Sequence, residues 1–200
     1  MKNLVKTLLC LLSLQIAVAA ETGPEELIRQ TTNLLLSEIK SNSALYQQDS
    51  AKLYSLVGEV VMPHFDLNRM IDMALGRYKS KVSAEQRPRI VKEFQILLVR
   101  TYSKALLDYN DQEIIYLPLV VSSETGDVTV RTEIEQDGGF PIPLTYTLKL
   151  GDQGWKIYDI SVDDISLVTN YRSSFARQIK KHGVDGLIET LRERNHDRQI

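Results

Sequence analysis

The spacing of apolar positions changes twice along this chain. From Pro24 to Lys40, Leu27, Ile28, Leu34, Leu35 and Ile39, with Thr31 between them, recur at helical spacing, and Pro24 suits a first turn. Leu53, Leu56, Val57 and Val60 predict a second helix from about Ser50 to Val61, stopped by Pro63. A third, shorter one is predicted over Asp66–Leu75, with Gly76 as its C-cap. Ser83-Ala84-Glu85-Gln86 reads as a capping box opening the longest helix. Ile90, Phe94, Leu97, Leu98, Tyr102, Ala105, Leu106 and Tyr109 keep one apolar face on it to about Asn110. Pro88 removes an early hydrogen bond there and bends the entry or delays the start.

From Glu113 to Val162 the period becomes two. Val128, Val130, Thr132 and Ile134 alternate with Thr129, Arg131, Glu133 and Glu135, as in a half-solvated antiparallel strand. Ile142, Leu144, Tyr146, Leu148 and Leu150 alternate after a turn at 136–139, and Pro141 and Pro143 suit an edge or a strand start. Gly151–Gly154 turn the chain into Trp155–Val162, and an earlier run over Ile114–Val121 makes four strands. Helical spacing returns around Leu167–Lys181 and Val184–Arg194, separated by Gly183. The expected fold class is α+β, one curved four-stranded antiparallel sheet covered by several helices. Such an arrangement encloses either a cone-shaped cavity or a filled core, and the two share one periodicity.

The N-terminus stands outside this pattern. Lys2 and Lys6 precede an apolar run from Leu8 to Ile16, too short for a stable transmembrane helix, and Ala17-Val18-Ala19 supplies a signal-peptidase site. Residues 1–19 are therefore expected to be a cleaved signal peptide and residues 20–200 a single exported domain. Cys10 lies inside the apolar run after Leu9, so it does not read as a lipid-attachment site, and it leaves with the signal. No later segment has the roughly 18 apolar residues of a membrane span. After cleavage the acidic residues outnumber the basic ones, which argues against nucleic acid as a partner.

Candidate chemistry is sparse. His64, His182 and His196 have no ligand spacing, so no metal is expected. Ser166 and Ser173 lie in no G-x-S-x-G elbow. Asp163-Asp164 reads as a solvated turn, because adjacent side chains point apart. Arg100 and Arg172 lie among apolar residues and call to mind internal ion pairs, with a headgroup contact as the alternative. No Walker or Rossmann motif and no catalytic constellation is present.

Several ordered blocks carry a resemblance. They include Pro63-His64-Phe65-Asp66-Leu67, Ala74-Leu75-Gly76, Glu85-Gln86, Glu93-Phe94 and Leu97-Leu98-Val99-Arg100-Thr101-Tyr102. Val130-Arg131-Thr132, Trp155-Lys156-Ile157-Tyr158-Asp159, the run Ile165 to Phe175 and Gly183-Val184-Asp185-Gly186-Leu187 complete the series. Together they resemble the MlaC or toluene-tolerance (Ttg2-type) family of periplasmic phospholipid-binding proteins. Tyr78, where an aromatic and often Trp is frequent, and Pro88 are minor departures.

The resemblance implies an NTF2-like cone with an apolar cavity and a soluble periplasmic carrier of diacyl phospholipid. It further implies partners at both membranes, an outer-membrane lipoprotein–porin complex and an inner-membrane ABC transporter complex with its membrane-anchored substrate-binding subunit. The implied role is maintenance of outer-membrane lipid asymmetry, with no cofactor and no catalysis. Expected lipid-binding residues are Leu97, Leu98, Tyr102, Leu144, Tyr146, Leu148, Tyr158, Ile165, Val168 and Tyr171. Ile165 ranks first, because it falls in the block just after the last strand, where the family pocket is lined. Two other classes stay open: a small periplasmic enzyme on a similar cone, using Asp159 or His64, and a protein-binding module with a filled core.

Overall fold

The computed structural model describes residues 22–197; the expected signal peptide, residues 1–19, lies outside the described residues. Helix α1 spans Pro24–Ser41, with Pro24 at its first turn and Ile28, Leu35 and Ile39 buried. Helix α2, Ser43–Gln48, was not anticipated; its Tyr46 is buried and donates to Glu38 Oε1 at 3.1 Å, which pins so short a helix back onto α1. Helix α3 covers Ser50–Val60, capped by Asp49. A 3-10 turn at Met62–His64 leads into α4, Leu67–Leu75, where Asp66 Oδ1 accepts from the Arg69 amide at 2.9 Å. Asp66 also donates its amide to the Ile157 carbonyl at 2.8 Å, and Lys156 Nζ donates to the Pro63 carbonyl at 2.7 Å. The Pro63–Leu67 block is thereby stitched to the sheet.

The capping box forms reciprocally. The Ser83 amide donates to Gln86 Oε1 and the Gln86 amide to Ser83 Oγ, both at 3.1 Å. Helix α5 itself begins at Gln86, so Pro88 falls in its first turn, which resolves the conflict between the box and the proline. It ends at Tyr102 rather than near Asn110, and residues Ser103–Asp108 tighten into a 3-10 helix. Ser103 Oγ donates to the Val99 carbonyl at 2.5 Å, a local bond that competes with the helical ladder.

The sheet is a meander in the order β1-β2-β3-β4-β5: Ile114–Val121, Val128–Ile134, Ile142–Gly151, Gly154–Val162 and Ile165–Ser166. All neighbours pair antiparallel. There are five strands, not four. The fifth has two residues, too few for alternation to show, and a two-residue turn places it. Asp163 and Asp164 have φ of 48° and 61°, the left-handed pair that a type I′ hairpin requires, and Val162 faces Ile165. Helix α6, Leu167–Asp197, is broken at Gly183, whose φ of 72° and ψ of −175° is open essentially to glycine alone, so the expected division into two helical segments is present.

Three apolar clusters hold these layers. Helices α4, α5 and α6 share the largest, around Phe94, Phe175, Ile71 and Leu187. Helices α1, α2, α3 and the end of α5 share a second around Leu53, Val57 and Tyr46. Ile28 of α1 joins Val130, Leu148 and Ile157 of the sheet in the third.

Candidate functional site

Strand register determines which side chains share the concave face. Tyr116 pairs with Thr132, Thr132 with Leu144, Leu144 with Val162, and Val162 with Ile165. One repeat further in, Val130 pairs with Tyr146 and Tyr146 with Ile160; deeper still, Val128 pairs with Leu148 and Leu148 with Ile157. The deepest positions are filled by the cluster that includes Ile28. The outer rows are not filled, and they wall a cavity of about 820 Å³. Leu35 and Leu36 of α1, Val57 of α3, Met62 and Phe65, Leu98 and Val99 of α5, and Leu106 close it from the helical side. That volume lies in the upper part of the range for small-molecule sites. Its most exposed lining residues are Ile165, 63% exposed, and Tyr102, 38%, together with Asp108, Asp163 and Asn170, and they mark the mouth.

The lining is mainly aliphatic and aromatic. Its only charged members among the described residues are Asp108 and Asp163; it holds no Lys, Arg or His. A small hydroxyl patch interrupts the wall. Thr132 Oγ1 is buried beside the Tyr146 phenol and makes no well-formed hydrogen bond. Burial pushes the Tyr146 phenol up to about 12, so it stays neutral at any physiological pH. Burial also raises Tyr116, over whose ring the Arg29 guanidinium sits at 3.7 Å.

Of the ten expected lining residues, the structure brings five to the cavity: Leu98, Tyr102, Leu144, Tyr146 and Ile165. Ile165, ranked first, stands at the rim rather than in the interior. The other five lie outside its lining. Leu97 and Val168 point into the packed core of α4, α5 and α6, and Tyr171 packs edge-on against Phe94 with ring centroids 5.0 Å apart. Leu148 is on the concave face, but at the filled end with Ile28. Tyr158 is displaced by a β-bulge: Thr147 pairs with Asp159 and Leu148 with Ile157, so Tyr158 is the extra residue. The bulge hands the inward position to Ile157 and turns Tyr158 to the helical core, under the Arg69 guanidinium at 3.6 Å from its ring.

Neither residue of the enzyme alternative reaches the cavity. Asp159 accepts from Ser166 Oγ at 2.6 Å and from the Val168 amide at 3.2 Å, so it caps α6. His64 lies outside the lining, and burial, with Lys156 adding to it, lowers its pKa. A filled core is also excluded by the cavity itself. The expected ion pairs of Arg100 and Arg172 do not form among the described residues. Arg100 donates to the Asn195 carbonyl and has its guanidinium carbon 5.6 Å from the Tyr54 ring centroid, while Arg172 lies against Gly76, where a Cβ would come within 2.7 Å of Nε.

Lining residues not anticipated come from β1, β2 and β4 on the sheet side and, on the helical side, mainly from α1, α3, the 62–65 turn and the 103–108 turn. The spacing of those on the helical side matches that of ordinary core, so only the concave register of the sheet opposite could have singled them out.

Known proteins share this architecture. The family model described as MlaC protein matches residues 29–193. The intermembrane phospholipid transport system binding protein MlaC of Haemophilus influenzae is 30% identical over 180 residues, 87% of this chain and 83% of that protein. Toluene tolerance protein ttg2D of Pseudomonas putida is 28% identical over 171 residues, 85% of this chain and 79% of that one. A solved phospholipid-binding protein from Ralstonia solanacearum, in complex with a phospholipid, superposes with a TM-score of 0.81 at 31% identity. That match covers 90% of this chain and all of the other.

Proposed function

The chain belongs to the MlaC family, and from that premise we propose that it is a phospholipid carrier acting by sequestration and hand-off. The observation that carries the reading is the apolar cavity of about 820 Å³, open at one end of the sheet. A diacyl lipid has roughly 30 methylenes, and at about 0.8 kcal/mol each their exposure to water costs on the order of 20 kcal/mol. A lipid crossing an aqueous space therefore needs an apolar container with an opening for its headgroup. The cavity offers aliphatic walls for the chains and an exposed polar mouth for the head.

The proposed setting is the periplasm, between an outer-membrane lipoprotein–porin complex and an inner-membrane ABC transporter complex, with outer-membrane lipid asymmetry as the outcome. No helix among the described residues is long and apolar enough to cross a membrane, which suits a molecule that moves between partners. Hand-off needs no covalent step.

Protein purified without detergent is expected to carry diacyl phospholipid in about stoichiometric amount, identified by mass spectrometry of extracted lipid. Protein that emerges empty and takes no lipid from liposomes would overturn the reading.

A further inference from the structure

Three loops at the mouth of the cavity are rich in carboxylates, while the 103–108 turn beside them carries Lys104. Residues 108–113, 135–141 and 163–165 meet at this end, tied by the Glu135 amide to the Glu113 carbonyl at 2.9 Å and the Asp163 amide to the Pro143 carbonyl at 3.2 Å. These three segments contain seven carboxylates, of which Glu113 and Glu135 alternate to the sheet face opposite Ile114, Ile134 and Gln136 of the lining. Lys40 of α1 pairs with Asp111 at 2.6 Å, and the other six make no ion pair among the described residues. Asp108 and Asp163 belong to the cavity wall itself.

A second feature points independently to an occupant. Thr132 Oγ1, on a residue 2% exposed, lines the same cavity without a well-formed hydrogen bond. With the Tyr146 phenol beside it, this buried hydroxyl offers a polar contact to whatever fills the space. Thr132 sits two residues in from Ile134 at the rim, roughly 7 Å along the strand. In a glycerophospholipid held tails-inward, the ester carbonyls lie about that far below the headgroup, and a carbonyl there accepts from Thr132 Oγ1.

Resting on the carrier reading, we propose that this mouth selects phospholipids whose headgroup bears an ammonium, of the phosphatidylethanolamine type, over phosphatidylglycerol-type lipids of net negative charge. The phosphodiester is common to both and contributes equally to repulsion from the rim. What differs is one positive charge at the outer end of the headgroup, held against Asp108 and Asp163 of the cavity wall. Attraction of that kind is partly exposed, so it is modest and sensitive to salt.

The test offers delipidated full-length mature protein mixed vesicles of phosphatidylethanolamine and phosphatidylglycerol in equal parts and reads the ratio of bound lipids by mass spectrometry. Both lipids share one vesicle, so docking to its surface does not bias the ratio. Enrichment of phosphatidylethanolamine by about fivefold is expected at low salt, falling toward parity at 1 M salt, where the screening length is about 3 Å. The combined variant D108N/D163N/D164N should bring the low-salt ratio toward parity; Asn tolerates the left-handed turn at 163 and 164. Uptake in the donor ratio, unmoved by salt and by the variant, would overturn the selectivity and leave the carrier reading standing. Failure to take up either lipid would overturn both.

Discussion

Leu144 and Ile165 separate two environments that look alike in sequence. Leu144 lies in the cavity wall between Thr132 and Val162, whereas Ile165 is 63% exposed at the rim. Leu144→Glu should abolish co-purifying lipid, because an unpaired carboxylate beside acyl chains costs several kcal/mol, while an empty, wetted cavity can still solvate it. Ile165→Glu should keep most of its lipid, since the new charge stays in water. Extracted lipid per protein and circular dichroism on the same samples check both; lipid loss from I165E equal to that from L144E would place Ile165 deeper than its exposure indicates. Titration is a second matter for single residues. Burial by itself would raise Asp72 and Asp127, but hydrogen bonds from Lys79 and Arg87 to Asp72, and from Thr125, Lys149 and Tyr158 to Asp127, hold both below the ordinary range. Folded-state pKa values below the unfolded ones contribute stability above about pH 4 that is lost as pH falls through the folded values. Thermal melts from pH 7 to pH 3 should show a smaller acid loss in Asp127→Asn than in the parent.

At the scale of elements, two glycines have opposite expected effects. Gly183 breaks α6 with a φ of 72°, so Gly183→Ala should destabilise by about 1–3 kcal/mol despite the open space around it. Gly58 lies inside α3 with nothing near its missing Cβ, and Gly58→Ala should stabilise by up to about 1 kcal/mol. Denaturant melts of the two variants check the sign; a stabilised G183A would mean that the two segments of α6 can join as a continuous helix. Most elements were legible because their signals are local. The Ser83–Gln86 box and the alternation of β2 and β3 each arise within a few residues. What was not legible depends on distant partners. Helix α2 is held by Glu38, the end of α5 is tightened by a hydroxyl, β5 exists through pairing with β4, and the bulge at Tyr158 shows only against β3.

For the whole molecule, the cavity links stability to cargo. A ligand bound to the folded state alone stabilises it by mass action, so delipidated protein should melt at a lower temperature and recover on adding phospholipid. A melting temperature indifferent to lipid would separate the cavity from binding. The α+β class, the order of the elements and, through ordered motif blocks, the family are all written in the sequence. Those rest on local periodicity and on residue identity, which the chain carries without folding. It did not determine which apolar residues meet solvent-sized space and which meet each other. Leu97 and Leu98 are neighbours with the same chemistry, yet only Leu98 reaches the cavity, and Tyr146 and Tyr158 face opposite environments across one bulge. A void is a property of surfaces that fail to touch, and only the tertiary arrangement of α1, α3 and α5 over the concave sheet decides where that happens.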